Sequence, residues 1–194
     1  MPSNLACSSA GSFKLKLTRD AILHTAQQLI DAKGLKALSM RAVAGRLDAQ
    51  GSALYWHFRN KSDLITTLAQ SYYERAVQAV PQRVRWTDWL LSFGRALHKE
   101  LLSHRDSCEI YVAARPTDRH AAEVIERMVL PLTGAGLSRS QALLCQSAVI
   151  AFTVGWVTYE QSPSQRAQLS KIMNLQHNFD EGLKALVNGL AQQA

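Results

Sequence analysis

Residues 38–58 read LSMRAVAGRLDAQGSALYWHF, and the spacing of their apolar side chains decides the fold. Val43, Leu47 and Leu54 are placed as apolar pins, and Ala44 is the small residue needed where two short helices cross closely. Asp48 falls in the break between them, where a glycine is more usual; Asp tolerates the left-handed backbone such a turn requires. Two short helices joined by a tight turn are the build of a helix-turn-helix, whose second helix lies in a DNA major groove. Four rings, Tyr55 to Phe58, close the stretch, and neighbours on a helix point in different directions. The periodicity predicts Leu54 and Trp56 facing the core and Tyr55 and His57 facing outward.

Charge supports the same reading. Through Lys61 the chain carries nine Lys and Arg against three Asp, nearly all of its formal net charge of +7. An excess confined to the first third points to a polyanion partner. The candidate DNA-binding residues are Ser39, Met40 and Arg41, then Gln50, Gly51, Ser52, Ala53, Tyr55 and His57, and finally Lys61. Residues 50–53 are uncharged and bring backbone close to a duplex. Arg41 can reach a base edge or a phosphate. Lys61 opens the following helix, where a cation and free N–H groups both favour phosphate. The same pattern also fits a helical subdomain whose exposed rings bind another protein.

Outward from this stretch almost every periodic segment reads as helix, and the fold class is all-α. Thr18 is placed to cap a first helix that stops at Gly34, Ser39 caps the second, and the third runs through Leu54 to His57 or Phe58. Asn60 or Ser62 caps a long fourth helix ending before Pro81. Beyond it, Thr87 is expected to cap a helix with Trp89, Leu90, Phe93, Leu97 and Leu101 on one stripe. DSCEIYVAARP follows, then a helix capped at Thr117 and one capped at Ser138, nearly uncharged over 148–157; FDEGLKALVNGLAQQA ends the chain. The five prolines are read as boundaries and 162–177 as a polar linker. The organisation is a tail (1–13), a helix-turn-helix domain (14–60), a connecting helix (61–81) and a larger helical-bundle domain for ligand binding and dimerisation (82–194).

Composition narrows the function. The chain is 47% hydrophobic and 19% charged, enough to bury a core. Three cysteines without CxxC spacing argue against a disulfide framework or zinc site and for a reducing cytoplasm; Cys108 and Cys145 read as small core residues. No apolar stretch is read as long enough to cross a bilayer, and no membrane partner or cofactor is expected. His98 and His104 are six apart, off the spacing that places two ligands on one face, so they read as solvated or capping. No residue set suggests catalysis or a metal site. The apolar 143–157 helix and the last helix offer more hydrophobic surface than one body covers, which implies a homodimer with Val154, Leu183, Leu186 and Leu190 at its interface.

Residues 34–69, GLKALSMRAVAGRLDAQGSALYWHFRNKSDLITTLA, strongly resemble the N-terminal domain of the tetracycline repressor (TetR) family of bacterial transcriptional regulators. LYWHFRNKSDL is the most specific part. WTDWLLSFGRALHKELLSHRD, ARPTD and SAVIAFTVGWV resemble the ligand-binding domain of that family's own tetracycline-responsive subgroup. The resemblance implies an all-α homodimeric repressor that sets two recognition helices into successive major grooves of a double-stranded operator and is released by a ligand. It implies DNA contacts, mostly to phosphate, at Arg41, Ser52, Tyr55, His57 and Lys61.

The ligand site departs from the subgroup. A His two residues before a Gly-Thr-Arg-Pro turn, and the Thr of that turn, hold the magnesium-tetracycline complex there; here the positions read Tyr111 and Ala113-Ala114-Arg115-Pro116. The subgroup's metal-side acid aligns with Tyr159, with Glu160 one residue late, and its polar drug-gripping Asn and His align with Phe93 and Val77. A hard dication needs oxygen ligands and accepts an imidazole; Val, Phe and Ala supply neither. The expected ligand is therefore a small lipophilic molecule, not magnesium-tetracycline, near Val77, Phe93, Leu97, Tyr111, Ala114, Arg115, Phe152, Trp156 and Tyr159. Arg115 is also placed to cap the helix end beside Pro116.

Overall fold

The computed structural model describes residues 17–81, 84–115 and 118–193. The expected tail and the Thr117 cap lie outside them. All regular structure among the described residues is helical. In the head, α1 (Arg19–Lys33) starts where the Thr18 hydroxyl accepts the Ala21 N–H at 3.1 Å, and ends at Gly34 with φ 82°. After a 3-10 turn, α2 (Met40–Arg46) is capped by Ser39, whose Oγ accepts from the Ala42 N–H at 3.1 Å. Asp48 turns the chain at φ 49°, the left-handed conformation read for it, and α3 (Gly51–Tyr55) follows. Asn60 caps α4 (Lys61–Gln78): its Oδ1 accepts from Asp63, while the Asp63 carboxylate accepts the Arg59 N–H, both at 2.9 Å. Ile22, Ile30, Val43, Leu54, Phe58 and Leu64 are wholly buried and form the head's core.

The body comprises α5 (Trp86–Leu102), α6 (Ser107–Ala113), α7 (Asp118–Thr133), α8 (Arg139–Gln161), α9 (Pro163–Leu169) and α10 (Leu175–Ala191). The stripe read on α5, Trp89 to Leu101, is buried. Ser138 caps α8 within a capping box closed by Gln141. Cys108 and Cys145 are buried free thiols.

Several expectations are corrected. Thr87 is the second residue of α5 and caps nothing; Arg85 precedes the helix, its guanidinium paired with Asp88 at 2.9 Å. Pro131 lies inside α7, not at a boundary; it withholds one N–H near the C-terminal end. The linker contains α9, none of whose residues is buried, so it carries no apolar stripe to be read. α8 is long and apolar enough to cross a membrane by length and composition, contrary to the sequence reading. It packs instead on α5, α7 and α10.

Two further corrections concern burial. Leu183, assigned to the dimer interface, is wholly buried within one protomer against α5, so it has no surface to offer a partner. His98 is neither solvated nor a cap: its side chain is 4% exposed, Nε2 lies 2.7 Å from Glu160 Oε2, and its ring stacks on Phe179 at 3.9 Å. Glu160 is 62 residues distant, which spacing within one helix cannot reveal.

α5, α8 and α10 meet at Gly94. A Cβ there would sit 2.8 and 2.9 Å from the Leu183 methyl carbons and 3.1 Å from Val149 Cγ1. Gly94→Ala is expected to destabilise: overpacking costs about 1–3 kcal/mol, against the ~1 kcal/mol that alanine gains in helix propensity. Thermal unfolding should show Tm lower by a few degrees; an unchanged or raised Tm would mean that the three helices part easily.

Candidate nucleic-acid interface and ligand cavity

The helix-turn-helix presents one polar surface. Ser39, Arg41, Gln50, Gly51, Ser52 and Tyr55 are exposed, and Ala53, His57 and Lys61 are half-buried. Arg41, Gly45, Gly51 and Tyr55 border the groove between α2 and α3. Arg41, Arg46, Arg59 and Lys61 form no salt bridge among the described residues, so their charge is open to an external anion. Arg19 is committed: its guanidinium lies 4.4 Å from the Phe58 ring centroid and donates to His57 O and Thr67 Oγ1.

Two residues are misplaced by the sequence reading. Met40 is only 8% exposed and packs mostly into the head's core, leaving only an edge on the α2–α3 groove. Trp56, expected inward, is 89% exposed, while Phe58 takes the buried position. The cause is the helical spacing carried on from Leu54: Phe58, four residues away, has its N–H on Leu54 O and shares the buried face, whereas Trp56, two residues away, falls on the opposite side. Trp56 thus joins Tyr55 on the exposed face.

In the body, a cavity of about 160 Å³ opens between α4, α6 and α7. Thr66, Ala69, Gln70, Tyr73 and Glu74 line it from α4, Tyr111 and Ala114 from α6 and its end, and Val124, Arg127 and Met128 from α7. The α4 contribution repeats every three or four residues, the one sequence signal that could have found it. Of the expected ligand residues, only Tyr111 and Ala114 line the cavity. Phe93 stands behind it, its ring edge-on to Tyr73 at 5.4 Å, and Leu97 is wholly buried core. Val77 is half-buried one turn further along α4. Phe152 and Trp156 cluster with Phe179 on α10, and Tyr159 is exposed on α8. Arg115 Nη1 donates to the carbonyls of Val112 and Ala114, which is the cap read for it.

Burial pushes the Tyr111 hydroxyl up to about 12 and raises Tyr73 as well, Tyr111 adding to the shift and Arg127 opposing it. Both phenols are therefore neutral hydrogen-bond donors at pH 7. At the rim Arg127 Nη1 pairs with Glu74 Oε1 at 2.9 Å, cancelling the charge of each.

This lining does not suit a hard dication. Such an ion requires several oxygen ligands. Glu74, the carboxylate lining the cavity, is held by Arg127, and Glu160 is held by His98.

A basic helix-turn-helix head carried on a helical body with an apolar cavity defines a ligand-linked DNA-binding regulator. Residues 22–68 match the family described as bacterial regulatory proteins, tetR family, and residues 80–171 match the tetracyclin repressor-like C-terminal domain. The chain is 30% identical to the class A tetracycline repressor protein from transposon 1721 of Escherichia coli, over 92% of each chain. It therefore belongs to the tetR family. Its fold is similar to that of class A TetR in complex with 5a,6-anhydrotetracycline and magnesium (TM-score 0.70, 30% identity, 91% of this chain and 99% of that one). It is also similar to BioQ with its double-stranded DNA operator (TM-score 0.67, 29% identity, 91% and 99%).

Proposed function

We propose that this transcriptional regulator is a homodimeric repressor that binds a near-palindromic operator and releases it when a small lipophilic molecule enters the α4–α6–α7 cavity. The observation that carries the reading is the head surface, where unpaired cations flank the exposed Tyr55 and Trp56. BioQ, bound to its operator, supports it. The head spans 14–60, α4 connects it through 61–81, and the body occupies 82–194. Such a repressor works in the cytoplasm, where its operator is.

The proposed dimer face lies on α8. Ser147, Ala151 and Gly155, each four residues apart, form an exposed strip of small side chains flanked by exposed Leu144 and Tyr159. Small residues at this spacing let two helices approach closely. Val154, Leu186 and Leu190 are partly buried beside this face and complete it.

The inducer is proposed to be other than magnesium-tetracycline, although class A TetR binds such a complex. Drug-sized ligands occupy about 300–1,000 Å³; the cavity holds about 160 Å³ and its carboxylate is already paired.

Selection from a random duplex library tests the reading. It should return a near-palindrome with half-site centres about one helical turn apart; equal affinity for all duplexes would refute it. Tyr55→Phe with Lys61→Ala should then weaken binding to every duplex alike. Lys61→Ala alone should lower the salt slope by about one for each phosphate left without its cation. Arg41→Ala should in addition flatten base preference at one position of each half-site, seen by repeating the selection.

A further inference from the structure

Resting on the proposed ligand role of the α4–α6–α7 cavity, we infer that it selects uncharged molecules of about one ring's size bearing a carbonyl oxygen, held by the Tyr111 hydroxyl and the Gln70 amide. Among the residues that line the cavity, the buried polar atom left without a partner is a donor. Tyr111 makes no hydrogen bond to the described residues, and burial keeps its hydroxyl protonated beside Tyr73. Gln70 lines the cavity, and its Nε2 is buried without a partner. The Tyr73 oxygen already receives the Gln146 Nε2 donor at 3.1 Å, so its own proton is what it has left to give. An unmet buried donor is costly, and an occupant with an acceptor atom relieves that cost. A hydrocarbon leaves the donors unmet, and a donor-only ligand adds to the excess.

Charge and size narrow the class. Glu74 and Arg127 offset one another's charge at the rim, so an anion there meets Arg127 together with the Glu74 carboxylate. A cation entering past that pair would shed its water against an otherwise apolar wall of Ala69, Ala114, Val124 and Met128. At about 160 Å³ the space matches an apolar cavity that takes one benzene-sized ring.

The test uses the full chain and three probes: acetophenone, its apolar shape-mate isopropylbenzene, and benzoate. Dissociation constants are measured by calorimetry for the native protein, Tyr111→Phe and Gln70→Leu, each shown by melting to be folded. Because the carbonyl also costs acetophenone its hydration, the readout is the change between proteins, not the raw ranking of probes. Each substitution is expected to weaken acetophenone about five- to tenfold, the loss of one buried hydrogen bond, and to leave isopropylbenzene within about twofold. Benzoate is expected to bind none of the three proteins measurably.

Equal weakening of both neutral probes would make the two side chains mere wall and overturn the inference. So would benzoate binding more tightly than acetophenone, or no neutral probe binding the native protein. Duplex selection, run without any probe, separates this outcome from the broader reading. A returned palindrome with failed acetophenone binding removes only the ligand class. Acetophenone binding as expected without duplex preference removes the regulator instead.

Discussion

Phe58→Ala should unfold the head while the body remains folded, at a cost of about 3–5 kcal/mol. The ring is wholly buried at the centre of the smaller core, beside Ile22, Leu54 and Leu64. It also supports the Arg19 guanidinium, 4.4 Å from its centroid, which joins the start of α1 to His57 O and to Thr67 on α4. Removing the ring opens a cavity and loosens that clamp together. A whole protein is stable by only about 5–15 kcal/mol, so a small subdomain has little reserve. Far-UV circular dichroism should show an added early transition, and duplex binding should vanish above it. Trp56→Ala is the control. It also deletes a ring, but one 89% exposed, so stability should stay within about 0.5 kcal/mol while duplex affinity falls. A single unshifted transition in the Phe58 variant would mean that the head's core lies elsewhere.

Ala151→Arg should produce monomers. Ala151 lies between Ser147 and Gly155 on the exposed small-residue strip of α8, where a long charged side chain would hold two copies apart and be desolvated if they met. Sedimentation at micromolar concentration should show the mass of one chain. Operator affinity should drop by about 10²–10⁴, because the second head then binds from solution instead of being delivered by the first. Melting of the isolated protomer should be little changed, since the position is solvent-exposed. A dimer that tolerates the arginine would move the interface off α8.

What the sequence reveals here follows from how far each signal reaches. Helix starts set by a neighbouring side chain, at Thr18, Ser39, Asn60 and Ser138, are legible because donor and acceptor lie three residues apart. The α5 stripe is legible because 17 residues keep one phase. α3 has only five, so its inward face rests on a single spacing: Phe58, four residues from Leu54, is buried, and Trp56, two residues from it, is exposed. The His98–Glu160 pair joins α5 to α8, and the burial of Leu183 depends on the absence of a side chain at Gly94; both facts arise only when distant helices pack. The cavity is half legible. Resemblance leads to Tyr111 and Ala114 but also to Phe93 one layer behind, and the α4 residues that face it read in the sequence as ordinary helix surface.

α6 is anchored at both ends. Ahead of it, the Arg105 N–H reaches Asp31 Oδ1 at 3.0 Å, and Asp106, itself at φ 56°, accepts the Leu35 N–H at 2.7 Å. This approach is close enough that a Cβ on Gly34 would come within 3.1 Å of the same carboxylate. Behind it, the Arg115 N–H is held by Thr66 Oγ1 at 2.9 Å. A guest pressing on Tyr111 therefore pushes a seven-residue rod whose far tip is hooked to the base of α1. Should the cavity take its proposed ligand, those ties offer a direct path from Tyr111 to the end of α1 and to α4.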